Sequence, residues 1–167
     1  PQLRFESVAS REAKAILTRL YIKAFGPVAE EDIAWWAGFS KSETETALSA
    51  LASDLLHVRI KEFPKGYLML RSDYKEFSKF RPSARYSVSL LPYEDPYMKG
   101  YKLRDRLVNP DWEKDAYIGG GAEPSIIVEG KIVGIWNRTI EKSKGPIQLR
   151  FFQSLNREIE RLATRKA

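Results

Sequence analysis

The chain contains no cysteine, so it can form neither a disulfide nor a metal site with thiolate ligands. Its one histidine, His57, also argues against a metal centre built from histidines. No apolar run is long enough to span a membrane, and the N-terminal residues lack the apolar region of a signal peptide. These absences predict a cytoplasmic protein that has no membrane segment, no bound metal and no cofactor.

The charge of the 167-residue chain is positive and unevenly distributed, with a net value of +6 at pH 7. Residues 1–80 contain 12 lysines and arginines against 11 aspartates and glutamates, whereas residues 81–167 contain 16 against 11. An excess of cations favours partners that carry phosphate, although many basic proteins bind none. A partner that carries phosphate is therefore a candidate, and double-stranded DNA is the one considered below; nothing in the charge pattern indicates an oligomeric state.

The first half of the sequence predicts three helices. The first covers residues 10–25, and its apolar face at helical spacing consists of Ala13, Leu17, Leu20, Tyr21 and Ala24. The second covers residues 30–37 and ends at Gly38. Ser40 and Glu43 have the spacing of a capping box, which predicts the start of a third helix.

A β-hairpin is predicted after these helices. Residues 58–63 alternate apolar and polar side chains, residues 64–66 provide a turn, and residues 67–70 return. Three helices followed by a hairpin are typical of a winged helix. We therefore predict a winged-helix domain over residues 1–80.

The second half predicts a small β-rich domain over residues 81–167. Its expected elements are strands at residues 86–91, 126–128, 132–136 and 147–152, and a terminal helix at residues 154–165. Together with the winged helix, these elements make the predicted fold class α+β.

The predicted helix-turn-helix carries a charge that opposes DNA binding. Between residues 27 and 56 there is one cation, Lys41, against six carboxylates, a net charge of −5 that repels phosphate. A protein-interaction scaffold is therefore an alternative for this element. The hairpin offers the candidate DNA contacts Arg59, Lys61, Lys65 and Tyr67, although charges on an exposed hairpin also protect strands from aggregation.

Residues 90–107, LLPYEDPYMKGYKLRDRL, combine tyrosines with cations and contain two prolines and a glycine that disfavour a regular helix. Cations next to aromatic rings can bind phosphates and stack on bases or sugars. The candidate DNA contacts here are Tyr97, Lys99, Lys102, Arg104 and Arg106, and a later segment adds Arg138 and Lys142. The alternative is that the tyrosines fill a core while the cations form a solvated rim.

Two motifs resemble those of the winged-helix DNA-binding-domain family that contains the AlkZ and YcaQ DNA glycosylases. The first motif is matched by Leu90, Leu91, Pro92, Asp95, Tyr97, Gly100, Tyr101, Arg104 and Arg106. The second is matched by Val128, Gly130, Gly134, Trp136 and Arg138. The resemblance implies tandem winged helices around a DNA-binding concavity, and it implies that Asp95 braces a turn. Glu94 departs from the family, which tends to carry phenylalanine there.

The resemblance also implies what a catalytic member needs, namely a glutamine followed by an aliphatic residue and then by glutamine or aspartate. Such a motif positions water and stabilises a sugar that develops positive charge. Here Gln2-Leu3-Arg4 and Gln148-Leu149-Arg150 place a cation at the third position, and Gln153 is the one other glutamine. We expect no catalytic residue in this chain and therefore no glycosylase activity from it alone, although its full-length parent can be a glycosylase.

The leading prediction is a DNA-binding module of a DNA-repair glycosylase-like protein, as a fragment or a non-catalytic part. The alternatives are a standalone winged-helix transcription regulator and a protein-interaction scaffold. A regulator binds one DNA sequence far more tightly than others, whereas a scaffold binds no DNA.

Overall fold

The computed structural model of the protein describes residues 9–82, 85–138 and 145–167. Contacts within the chain group it into two compact units. Unit 1 comprises residues 1–80 and 100–102, and unit 2 comprises residues 81–99 and 103–167. Helices and antiparallel sheets make up both units, which confirms the predicted α+β class. The predicted domains stay a prediction, because contact groups do not establish independent folding.

Unit 1 contains the three helices and the hairpin in the predicted order. Its elements are α1 (Ser10–Phe25), α2 (Glu30–Ala37), α3 (Lys41–Ala50), a 3₁₀ turn (Ala52–Asp54), β1 (Leu55–Arg59), β2 (Gly66–Leu70) and α4 (Arg71–Phe77). Strands β1 and β2 pair antiparallel, with Leu55 opposite Leu70 and Arg59 opposite Gly66. The hairpin thus begins three residues earlier than predicted, and its turn is longer.

The junction between α2 and α3 follows from its residues. Gly38 ends α2 in the left-handed conformation, with φ of 66°, which glycine adopts without steric cost. Ser40 then caps α3, since its hydroxyl oxygen accepts a hydrogen bond from the Glu43 backbone N–H and its own N–H donates to the Glu43 carboxylate. Both helix boundaries are therefore set locally.

The predicted buried face of α1 is wrong in part. Leu17 and Leu20 are 37% and 60% exposed, whereas Thr18, Tyr21 and Ile22 are buried. Helix α1 packs against α2, α3 and β2 through this second face. Because α1 has apolar residues on both sides, spacing alone could not decide which side the rest of the unit covers.

Thr18 lies within this packed face, and its hydroxyl has no hydrogen-bond partner in the described part of the chain. We expect Thr18→Val to raise the free energy of unfolding by about 1 kcal/mol, because valine has the same shape and removes an unsatisfied buried group. Urea unfolding followed by circular dichroism measures this change. Thr46→Val is the control, since the Thr46 hydroxyl is exposed and donates to the Ser42 carbonyl. Destabilisation by Thr18→Val would show that its hydroxyl has a partner.

Unit 2 is built around a four-stranded antiparallel sheet. Its elements are β3 (Val88–Leu91), α5 (Pro96–Lys99), 3₁₀ turns at Arg104–Arg106 and Pro110–Trp112, α6 (Glu113–Ala116), β4 (Tyr117–Ile118), β5 (Gly121–Ala122), β6 (Ser125–Val128), β7 (Lys131–Arg138), β8 (Ile147–Phe151) and α7 (Arg157–Lys166). The sheet has the strand order β3-β6-β7-β8. Its apolar core includes Val88, Ile126 and Val133, with Ile159 and Ala163 contributed by α7.

The main elements of unit 2 were predicted, and their ends differ by a few residues. Strand β3 begins two residues later than predicted, and α7 begins at Arg157 after a cap by Asn156. The sequence did not predict the pair β4 and β5 or the short helices α5 and α6, because two to four residues show no period. Within the described residues, no helix has the length and apolar character needed to cross a membrane.

Candidate nucleic-acid interface

The turn after β3 is organised by Asp95. Its carboxylate accepts a hydrogen bond from the Tyr97 backbone N–H at 2.9 Å, and its carbonyl accepts from the N–H groups of Met98 and Lys99. These bonds start α5, whose first residue is Pro96. The preceding residue, Glu94, has a φ of 57°, which is unusual for a residue other than glycine. Asp95 therefore stabilises this turn through both its carboxylate and its backbone carbonyl.

Tyr97 connects the two family-like motifs. Its partly buried hydroxyl donates to the Gly130 carbonyl at 3.0 Å, in the turn between β6 and β7. Burial raises the pKa of the Tyr97 hydroxyl, while the positive charge of Arg106 opposes that rise. Gly130 has a φ of 78°, and a Cβ added to it would lie 3.3 Å from the Tyr97 hydroxyl. Glycine at this position thus permits both the turn and the hydrogen bond.

The second motif is explained by close packing in the sheet. Val128 belongs to the core, and the indole N–H of Trp136 donates to the Leu91 carbonyl at 2.8 Å, which ties the end of β3 to β7. A Cβ added to Gly134 would lie 2.4 Å from the Arg150 carbonyl oxygen of β8. These residues of the second motif therefore pack against other parts of unit 2, so the motif is explained by the fold.

The two motifs resemble those of a known family, and the chain also matches a model of that family. The model for the AlkZ-like DNA glycosylases, described as DNA glycosylase AlkZ-like, matches residues 2–167. The chain belongs to the AlkZ-like DNA glycosylase family. The resemblance stated from the motifs is thereby confirmed.

A solved member of this family has the same fold. The DNA glycosylase AlkZ of Streptomyces sahachiroi matches with a TM-score of 0.82 and 19% sequence identity. The match covers 98% of this chain and 43% of that one, so this AlkZ-like chain spans less than half the length of the solved protein. No curated protein sequence matches the chain.

Arg104 of this AlkZ-like chain is held inside unit 2. Its guanidinium lies 3.7 Å from the centre of the Tyr117 ring and 3.4 Å from the Glu113 carboxylate. The Tyr117 hydroxyl donates to the Met98 carbonyl at 3.0 Å, and burial raises its pKa to about 12 although Arg104 opposes the rise. Arg104 therefore already has an aromatic and an acidic partner. No feature of the sequence near Arg104 predicted its contacts with Tyr117 and Glu113.

Lys99 is also engaged within unit 2. Its ammonium pairs with the Glu94 carboxylate at 3.1 Å and donates to the Gly120 carbonyl at 2.9 Å. The same carboxylate accepts from the Ala122 N–H. That backbone bond, followed by Lys99, lowers the pKa of Glu94. A phosphate group would have to compete with these contacts for Lys99.

Residues 100–102 belong to unit 1 and are fixed there by three hydrogen bonds. The Tyr21 hydroxyl donates to the Gly100 carbonyl, and the Tyr101 hydroxyl donates to the Phe25 carbonyl at 2.9 Å. The Lys102 backbone N–H donates to the buried Asp32 carboxylate at 2.8 Å. The Lys102 side chain itself is exposed.

The hairpin cations differ in their partners. Arg59 and Lys61 are exposed, and neither has an ion pair with any described residue. Lys65 pairs with Glu31 at 2.8 Å, which raises the pKa of Lys65 and lowers that of Glu31. Tyr67 is 1% exposed, so its ring belongs to the core of unit 1 and does not present a surface to DNA.

The remaining candidates lie in unit 2. Arg106 is partly buried close to Tyr97, and Arg138 is exposed at the end of β7. Lys142 lies outside the described residues. The structure thus places Arg59, Lys61, Lys65 and Lys102 in unit 1, and Lys99, Arg104, Arg106 and Arg138 in unit 2. Their role in binding DNA stays a prediction.

The described residues include two glutamines, Gln148 and Gln153, and both are exposed. Arg150 lies on the same side of β8 as Gln148, pairs with Asp115 at 2.9 Å and faces the Phe152 ring at 5.5 Å. Gln2 lies outside the described residues. Among those that are described, no group of histidine, aspartate and glutamate side chains has the arrangement of a metal site.

Proposed function

We propose that this chain is a DNA-binding, non-catalytic part of an AlkZ-like DNA glycosylase, and that its partner is double-stranded DNA. The observation that carries the proposal is the pair of exposed hairpin cations, Arg59 and Lys61, which have no ion pair in the described structure. Cations without internal partners can neutralise phosphates without breaking an existing contact. Membership of a DNA glycosylase family supports DNA as the partner.

In this proposal, α1 to α3 and the hairpin form a winged helix whose wing contacts the phosphate backbone. Helix α3 is a poor candidate for the DNA groove, because residues 27–56 have a net charge of −5. Lys65 and Lys99 contribute less than Arg59 and Lys61, since each already pairs with a glutamate. Binding should accordingly depend on shape and charge more than on base sequence.

The non-catalytic part of the proposal concerns the residues present in this chain. Hydrolysis of a glycosidic bond needs groups that activate water and stabilise positive charge on the sugar. Arg150 follows Gln148 at the position where an amide or carboxylate is required, and a cation there opposes the developing charge. Base release by the parent enzyme would therefore depend on residues other than Gln148 and Gln153.

The DNA-binding proposal is tested by fluorescence anisotropy of a labelled random-sequence duplex across a salt series. We expect weak binding with a steep salt dependence. Arg59→Ala combined with Lys61→Ala should reduce the slope of log K against log salt by about two units, because each lost phosphate contact removes about one. The matched control is Lys75→Ala with Lys79→Ala, which removes the same charge from exposed positions elsewhere in unit 1.

The outcomes separate the alternatives. Equal effects of the two double variants on the salt slope would show that the net charge of the chain determines DNA binding, without a specific contact by Arg59 and Lys61. Absence of binding at low salt would favour the protein-interaction scaffold. Much tighter binding of one selected sequence than of random duplex would favour a transcription regulator.

The chain alone should release no base from alkylated DNA. Quantification of free base by mass spectrometry, with a catalytically competent glycosylase as the positive control, measures this. Base release that survives Gln148→Ala combined with Gln153→Ala would show that the chain contains catalytic groups outside these glutamines, and it would contradict the non-catalytic proposal.

A further inference from the structure

Helix α7 carries three arginines, Arg157, Arg161 and Arg165, at intervals of four residues. Residues four apart on an α-helix lie on the same face, so these arginines form a row about 12 Å long. All three are exposed. We call this row the arginine stripe. None of the candidate DNA contacts predicted from the sequence belongs to α7.

The opposite face of α7 attaches the helix to unit 2. Ile159 and Ala163 are buried in the core of the four-stranded sheet, and Leu162 packs against that core. The helix also contacts β3. The sheet therefore accounts for the apolar residues of α7, and the arginine stripe remains on the surface with no part in the core.

The charge of α7 is positive and is not neutralised within the described structure. The helix contains four cations against two carboxylates, Glu158 and Glu160, a net charge of +2. Although these glutamates flank the arginine stripe, no ion pair between described residues includes any of its three arginines. An anion could therefore bind the stripe without displacing an existing partner.

The arginine stripe does not help α7 to form. Arg157 is the first residue of the helix, where the helix dipole disfavours a cation. Like charges four residues apart repel each other, which applies to Arg157 with Arg161 and to Arg161 with Arg165. The dipole favours Arg165 alone of the three, because it lies in the last turn. Residues that oppose local folding are expected at functional sites, so the stripe has the character of a binding surface.

We propose that the arginine stripe is a second DNA-binding surface, which contacts the phosphate backbone of double-stranded DNA. A guanidinium group can donate two parallel hydrogen bonds to one phosphate, so a row of three arginines suits a row of phosphates. The inference rests on double-stranded DNA as the partner proposed above. It adds a surface in unit 2 to the hairpin cations of unit 1. Contacts of this kind do not depend on base sequence.

The test is the salt series with the whole chain and a labelled random-sequence duplex. In the stripe variant, Arg157, Arg161 and Arg165 are all replaced by glutamine. We expect the slope of log K against log salt to fall by about three units, because each lost phosphate contact removes about one. Glutamine is a good helix former, so α7 should persist, and the loss of repulsion should leave the unfolding temperature unchanged or higher.

A triple variant with the same loss of charge is the matched control. It replaces by glutamine three exposed lysines outside α7 that have no ion pair in the described structure, Lys75, Lys79 and Lys114. Its slope should fall by less than about one unit, because these lysines contact no phosphate. Replacing the three arginines by lysine keeps the charge. That variant should keep most of the slope and weaken binding several-fold, since lysine makes no paired hydrogen bonds to a phosphate.

The flanking glutamates allow a gain of binding to be measured, which a misfolded variant cannot imitate. Glu158→Gln with Glu160→Gln removes negative charge beside the arginine stripe and should strengthen DNA binding several-fold. Glu12→Gln with Glu76→Gln makes the same change of charge at exposed helix positions in unit 1 and should have a smaller effect.

Four results would overturn the inference. Equal slopes in the stripe variant and the lysine control would mean that net charge alone acts. A lower unfolding temperature of the stripe variant would assign the arginines to stability. Binding of labelled polyglutamate that is tighter than binding of the duplex, and is lost in the stripe variant, would assign the stripe to an acidic protein segment. Absence of DNA binding at low salt would overturn both this inference and the proposed function.

The two DNA-binding surfaces can be separated by comparing their variants. A slope lowered by Arg59→Ala with Lys61→Ala, but not by the stripe variant, would overturn this inference and leave the proposed function in place. A slope lowered by the stripe variant alone would support the arginine stripe and contradict the proposed contact of the hairpin.

Discussion

A Gly134→Ala variant should lose roughly 3 kcal/mol or more of its free energy of unfolding. The added Cβ would lie 2.4 Å from the Arg150 carbonyl oxygen and 2.9 Å from the Phe151 Cα. Both are backbone atoms of β8, so no side-chain rotation relieves the contact. The strands must separate, and β7 is an inner strand of the four-stranded sheet. Thermal and urea unfolding monitored by circular dichroism measure the loss.

Gly66→Ala is the matched control for this change. Gly66 also lies in a strand, β2, but a Cβ added there meets no atom within 4 Å. Its free energy of unfolding should change by less than about 1 kcal/mol. If Gly134→Ala and Gly66→Ala unfolded at the same temperature, β7 and β8 could not approach each other as closely as the structure shows.

The second large effect is expected at Asp32, a fully buried carboxylate in α2. One of its oxygens accepts from the Ala29 N–H at 3.0 Å, and the other accepts from the Lys102 N–H at 2.8 Å. Asp32→Ala leaves two backbone donors without these acceptors, which should lower the free energy of unfolding by about 2–4 kcal/mol. Urea unfolding of the purified variant measures the loss.

Two further variants make this prediction specific. Asp32→Asn retains one accepting oxygen and should lose an intermediate amount of stability. Asp54→Ala removes a carboxylate of the same unit whose ion pair with Arg19 is exposed, and it should cost about 1 kcal/mol or less. Equal stability of Asp32→Ala and Asp54→Ala would mean that residues 100–102 are not fixed by Asp32.

Much of unit 1 could be predicted because its signals act over a few residues. Gly38 and Ser40 define the end of α2 and the start of α3 through backbone conformation and capping, and neither depends on distant contacts. The alternation of apolar and polar side chains in the hairpin likewise indicates its strands without reference to distant contacts. The family motifs add sheet contacts such as that between Trp136 and Leu91, which no local signal reveals.

The candidate site was harder to predict because it depends on contacts between separate elements. The sequence shows that Arg104 is a cation, but the residues that contact it come from other elements, Tyr117 from β4 and Glu113 from α6. Tyr67 is similar, since an aromatic residue in a hairpin can face solvent or core, and here it is buried. The buried face of α1 was predicted wrongly in part for the same reason.

Residues 100–102 have a consequence for how the gene can be divided. The polypeptide leaves unit 1 after residue 80, returns for these three residues, and leaves again. A truncation anywhere from residue 80 to residue 99 therefore removes the donor to Asp32 and the acceptor of Tyr21 from the first fragment. A truncation after residue 102 keeps them but carries residues 81–99 away from unit 2. No single recombination breakpoint can transfer either unit intact to another protein.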